Sequence, residues 1–161
     1  MLRVLLVASV VTYVVLIWGA YVVKTGAGTS CISWPGCSAA PTPFVDGGLA
    51  QTIQWVHRLS VVIEGAVIGW TALVLRREAP SLQLGAWALV CLYGAQVLVG
   101  ALNIWTDFSI AARVAHLALA ATIWTVLILT TIAAWFGDAP EDPHATAGDR
   151  APRREEQSAG A

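Results

Sequence analysis

Apolar residues in this chain do not alternate with polar ones but gather into four long runs, at about residues 4–23, 52–75, 82–105 and 112–136. Each run reaches the roughly 20 helical residues needed to cross the hydrocarbon core of a bilayer. Lipid offers backbone groups no hydrogen-bond partner, so the runs must satisfy them internally as helices. The pattern predicts an all-α polytopic membrane protein, a bundle of four transmembrane helices. A charged start and an apolar middle also describe a secretory signal. The first run, Val4 to Val23, is longer than the roughly 7–15 apolar residues of a signal and lacks a clear cleavage site, so it reads as a retained helix.

The polar stretches between the runs set the topology. Residues 24–50 are rich in Gly, Pro, Ser and Thr and read as a loop, long for a connection between bundled helices. Arg76-Arg77-Glu78-Ala79-Pro80 and the segment Asn103 to Ala111 read as short turns. From Gly137 onward the chain holds Pro140, Pro143, Pro152 and mixed charges with almost no large apolar residue, which predicts a disordered tail over 137–161. The expected organisation is one membrane domain over 1–136 followed by that tail. Arg3, Arg76, Arg77, Arg150, Arg153 and Arg154 fall on one side of the membrane, against Lys24 and Arg113 on the other. Positive residues favour the cytoplasm. In a multi-pass protein of the cell membrane, both termini are therefore expected in the cytoplasm and the loop 24–50 on the outer side.

Composition removes several functions. With 57% hydrophobic and 12% charged residues there is no room for a separate soluble domain, and a net charge of −1 without a basic cluster excludes nucleic acid as a partner.

Titratable groups inside apolar runs are costly and point to function. Val56-His57-Arg58-Leu59 near the start of the second run is echoed by Ala115-His116-Leu117-Ala118 near the start of the fourth, a faint repeat of one two-helix hairpin. His57 and His116 thus sit at similar depth on two parallel helices. Two facing imidazoles across a bundle are what a b-type haem requires as axial ligands. The alternative is two unrelated polar residues bonded to backbone or to each other; their level placement beside arginine favours haem. Arg58 and Arg113 could pair with haem propionates, or Arg113 could anchor at the lipid headgroups. Glu64, seven residues after His57 on the same face, reads either as a proton-relay carboxyl or as a neutral acid bonded within the bundle. Gln96 and Asn103 either line the core or bond between helices. Cys31 and Cys37, in a loop on the oxidising side, are suited to a disulfide, structural or redox-active. Zinc lacks a second ligand pair, and the Cys-x-x-Cys-His signature of covalent haem is absent. Cys91 reads as a small core residue, and Gly65 and Gly69 as a small-xxx-small pair for close helix contact.

The run Gly19-Ala20-Tyr21-Val22-Val23-Lys24-Thr25-Gly26-Ala27-Gly28, followed by Cys31, Trp34-Pro35 and Cys37, resembles the first-loop signature of the haem A synthase (CtaA) family. His57-Arg58, Gln96 with Gly100-Ala101-Leu102, and His116-Leu117-Ala118-Leu119-Ala120 resemble its patterns in helices two, three and four. The resemblance spans four helices and one loop, half of an eight-helix architecture. It implies a bis-histidine haem site in each half, one for substrate haem O and one for cofactor haem b, and oxidation of the haem O C8 methyl to the formyl of haem A through a hydroxymethyl intermediate. For a half-length chain it implies a homo-oligomer, a dimer first and a higher ring as the alternative, with haem O synthase and a terminal oxidase as further partners. The chain departs from the family at Gln54, where the catalytic half carries a glutamate three residues before the helix-two histidine. Asp46 and Glu64 are the acids that could substitute. A bis-histidine iron leaves no open position, so either a ligand leaves during oxidation or the haem only moves electrons. That second case is a b-type electron-transfer or haem-delivery protein; a third reading is a haem-free transport or assembly subunit.

Overall fold

The computed structural model describes residues 1–37 and 48–137. Four helices make up most of it: α1 (Leu2–Lys24), α2 (Leu49–Glu78), α3 (Gln83–Trp105) and α4 (Ile110–Gly137). Each is long and apolar enough to cross a membrane, and the described residues contain no strand. Asp46 and the expected disordered tail beyond Gly137 lie outside the described residues.

Local chemistry sets the helix ends. α2 begins three residues earlier than the apolar run and continues through Arg76, Arg77 and Glu78. Those are good helix formers, and two cations complement the negative end of the helix dipole. Pro80 stops the helix by forcing Ala79 out of helical backbone, to φ −141° and ψ 75°. Glu78 then pairs with the N-terminal ammonium of α1 at 3.4 Å. After α1 the chain reverses at Gly26, whose φ of 69° favours glycine, and enters a 3-10 turn at Ala27–Ser30. The α3–α4 connection is tighter than expected: Asp107 and Phe108 take left-handed backbone, φ 49° and 57°, and the Phe108 amide donates to the Asn103 carbonyl at 2.6 Å. Left-handed backbone costs an L-residue roughly 1–2 kcal/mol.

Consecutive helices pack side by side, and α4 returns to α1 and closes the ring. α2 and α4 therefore face each other diagonally. The main apolar core fills only the half of the bundle away from the disulfide loop. It joins Leu5 and Ala8 of α1, Ile68, Ala72 and Leu75 of α2, Ala86 and Leu89 of α3, and Ile123, Leu127 and Ala134 of α4. A smaller cluster of Val22, Ala27 and Ile53, covered by Trp18, closes the loop end. Large side chains such as Val10, Ile63, Trp70, Leu117 and Leu129 point outward, as hydrocarbon permits and water does not.

Two expectations change here. Cys91 is not in the core but exposed on the outside of α3. The inward face of that helix runs through Ala86, Leu89, Tyr93, Gln96, Gly100 and Asn103, and position 91 lies on the opposite side. The Gly65/Gly69 pair divides: a Cβ on Gly65 would lie 3.0 Å from the Tyr93 ring, while one on Gly69 would meet open space.

Candidate functional site

Helix register assembles the site. α1 and α2 run antiparallel, with Gly19 opposite His57, and α3 and α4 repeat the arrangement with Gly100 opposite His116. A Cβ on Gly19 would stand 3.3 Å from His57 Cε1, and one on Gly100 would stand 3.3 Å from His116 Cε1. Each imidazole thus lies against bare backbone of the preceding helix. The hairpin repeat read from the sequence extends to the packing of its histidines.

Two turns deeper, a second layer replaces the first. Seven residues along each helix lead from Gly19 to Thr12, His57 to Glu64, Gly100 to Tyr93 and His116 to Ile123, a separation of about 10 Å at 1.5 Å per residue. The apolar core begins at Ile123 and Ile68 and does not reach the histidines.

The histidine layer is short of hydrogen bonds. His57 Nδ1 and His116 Nδ1 are buried without a partner, as are Gln54 Oε1, Gln96 Oε1 and Asn103 Oδ1. His116 Nε2 has the amide nitrogen of Gln96 at 3.4 Å, a long contact, and Asn103 Nδ2 donates to the Val99 carbonyl at 3.1 Å. Buried polar atoms without partners are few in native proteins. Five within about one turn of the histidine level mark a place that packing alone does not account for.

A cap covers the loop end. Cys31 and Cys37 form a disulfide, with Cα atoms 4.4 Å apart and both residues buried. Arg58 reaches up from α2 beside His57 and holds this loop. Its Nη1 donates to the carbonyls of Ser33 (2.7 Å), Pro35 (3.1 Å) and Gly36, and its Nη2 to that of Cys31 (3.4 Å). The guanidinium that the sequence suggested for a propionate is committed here to backbone oxygens. From the loop, Trp34 packs edge-on to Trp105 at the end of α3, with ring centroids 6.0 Å apart, and Gly28 lies against Phe108 of the α3–α4 turn. The cap thus ties the first hairpin to the second. Trp18 adds a bond from its indole nitrogen to the Ile53 carbonyl at 3.2 Å.

The structure therefore brings Gln54, Gln96 and Asn103 to within about one turn of the level of His57 and His116, and Arg58 onto the cap. Glu64 is placed away from them, beside Thr12 and Tyr93. Arg113 is exposed on α4, three residues before His116. Sequence reasoning assigned no role to Gly19, Gly100 or Tyr93. The available signal was glycine inside an apolar helix with no turn to make.

The chain is similar in sequence to several known proteins. The sequence model of the cytochrome oxidase assembly protein family, COX15-CtaA, matches residues 47–128. Heme A synthase of Symbiobacterium thermophilum is 32% identical over 74% of this chain and 39% of its own length. Heme A synthase of Alkalihalophilus pseudofirmus is 30% identical over 80% of this chain and 44% of its own. A protein named protoheme IX farnesyltransferase from Halobacterium salinarum is 29% identical over 85% of this chain but only 30% of its own length. The chain matches well under half the length of these curated relatives. With four membrane-length helices and a family match over half its length, this chain belongs to the COX15-CtaA family of cytochrome oxidase assembly proteins.

Proposed function

We propose that this chain binds haem through His57 and His116 and acts in haem A formation, oxidising the C8 methyl of haem O to the formyl group through a hydroxymethyl intermediate. The observation that carries the reading is the duplicated Gly19/His57 and Gly100/His116 packing in the two hairpins, with the histidines on the diagonal helices α2 and α4 and both Nδ1 atoms buried and unpartnered. The donor set fits the group: two imidazoles in an apolar bundle, lying against glycine backbone where a larger residue would crowd them. Bound haem supplies the redox chemistry that no side chain can. The protein's own part is to orient and enclose. Arg113, exposed at the loop end, pairs with propionate charge, and Arg58 keeps the cap closed over that end. Gln54, buried one turn before His57 on the cap side, and Glu64, buried two turns beyond it, are the polar groups of α2 that flank the ligand position. Both termini lie in the cytoplasm and the disulfide cap faces the oxidising side. A second copy of the chain, in a dimer, supplies the second haem site that the longer relatives would hold in one chain.

A second reading has its own support. Gln54 is an uncharged amide, and the Halobacterium relative joins a like segment to a chain named for farnesyl transfer to protohaem. On that reading the unit holds haem b and passes haem or electrons to a prenyltransferase or oxidase without oxidising it. Chromatography of haem extracted from membranes co-expressing the chain with a source of haem O separates the two. Haem A or its hydroxymethyl precursor is the expected product. Bound haem b with neither product would establish the second reading, and no haem in the pyridine haemochrome spectrum of purified protein would sink both. His57→Ala and His116→Ala are each expected to lose or alter the bound haem; a normal low-spin spectrum in either would refute the ligand assignment.

A further inference from the structure

Serine and threonine inside membrane helices usually satisfy their hydroxyls on the carbonyl three or four residues earlier. In α2 and α4 every one does. Thr52, Ser60, Thr71, Thr122, Thr125, Thr130 and Thr131 all donate in this way, most at 2.7–2.9 Å. Ser9 and Thr12 of α1 do not, although both are more than nine-tenths buried. They lie three residues apart on the inward face of α1; Thr12 stands beside Glu64, close enough to interact with its carboxyl, but its hydroxyl makes no bond of normal geometry. Glu64 is itself 6% exposed. The bond each hydroxyl forgoes was available on its own helix, and the departure coincides with Glu64, the one buried carboxyl among the described residues.

The surroundings leave that carboxyl no counter-ion. α3 brings Tyr93, whose hydroxyl donates to the Val61 carbonyl. α1 brings Thr12, with Ser9 one turn further along the same face, and the corresponding position of α4 is the apolar Ile123. Among the described residues no basic group forms an ion pair with Glu64. A carboxylate in hydrocarbon without a cation costs several kcal/mol, and a neutral carboxyl still needs an acceptor for its proton. A buried water is stable where two to four polar groups converge on it.

We propose that Thr12, Ser9 and Glu64 hold a buried water site at which Glu64 takes up and releases a proton, two turns beyond the histidine layer on the side away from the cap. The step is a simple exchange, in which carboxylate and proton give carboxylic acid, with the water carrying the proton to and from the helix interface. The use of the site rests on the reading above: each oxidation of the methyl group releases protons, and Glu64 lies beyond the layer where they appear. The site itself rests only on α1–α2 packing and can be tested without haem.

The test is infrared difference spectroscopy of the full chain in lipid bilayers, wild type against Glu64→Gln. A protonated-carboxyl stretch should be present in the wild type, shift on exchange into heavy water and be absent from Glu64→Gln. In Ser9→Ala/Thr12→Val the band should persist at higher frequency and exchange about tenfold more slowly, the water having lost its partners. A carboxylate ionised at every pH tested would overturn the proposal. So would a band that neither exchanges nor responds to loss of the hydroxyls, which would make Glu64 a sealed neutral acid. Neither result bears on haem binding, so failure here and failure of the haem reading are distinguishable.

Discussion

Arg58→Ala should open the cap without dismantling the bundle. The guanidinium donates to four loop carbonyls, but three share one nitrogen, so only two are counted at full strength, those to Ser33 and Pro35. A hydrogen bond involving a charged group contributes about 1.5–3 kcal/mol. Two at the low end give about 3 kcal/mol, or about 100-fold in the equilibrium between closed and open cap at 1.4 kcal/mol per tenfold. Cys31 and Cys37 are 0% and 1% exposed, so a reductant reaches their disulfide only when the cap opens. When opening is fast relative to attack, the reduction rate follows that equilibrium. The assay is thiol labelling during timed exposure to a reductant, in a Cys91→Ser background because Cys91 is free and exposed. Arg58→Ala should accelerate labelling about 100-fold, and Arg58→Lys, which keeps the charge but not the fork of donors, by a smaller factor. Helix content should be unchanged in both. Reduction at the wild-type rate in Arg58→Ala would show that other contacts close the cap.

Three further outcomes follow from contacts. Gly19→Val and Gly100→Val crowd the two imidazoles at equivalent places, so each should weaken haem retention by about 10–100-fold, the equivalent of roughly 1–3 kcal/mol of overpacking; a wild-type haem spectrum in either would break the proposed equivalence of the hairpins. Gly85→Ala sets a methyl 2.7 Å from Thr130 Oγ1 and should destabilise the α3–α4 contact by about 1–3 kcal/mol, read as a lower thermal midpoint with haem spectra unchanged. Trp105→Ala removes the cap's contact with the second hairpin and should also speed reduction of the disulfide, by less than Arg58→Ala; no change would mean that the ring pair is incidental.

The number of helices was legible because a bilayer demands long apolar runs and little else in the chain could supply them. The level placement of His57 and His116 was legible too, since both follow a helix start by a similar distance. Which face of each run points inward was not. Lipid and bundle interior are both apolar, so a run such as Leu84 to Leu102 shows no polar stripe to orient it, and Cys91 was assigned to the wrong side. Arg58 was read as a propionate partner because its neighbour in sequence is His57, while its partners are backbone oxygens 22 to 27 residues away. The roles of Gly19 and Gly100 depend on what the facing helix presents, which no local pattern records. Nothing in the sequence distinguishes Ser9 and Thr12 from the back-bonding hydroxyls of α2 and α4; the bonds they leave unmade emerge only in the packed bundle.

The lopsided core has a mechanical consequence. Close-packed apolar side chains bind the four helices together at one end, while among the described residues the other is held by a smaller cluster, a disulfide loop with its guanidinium, and the Trp34–Trp105 ring contact. The bundle resembles a clothes-peg with its spring in the packed half. Loosening the loop end parts the helices there without loosening the hinge. A flat, greasy molecule as large as a porphyrin could then slide in sideways from the bilayer, with no need to thread through water or past the core.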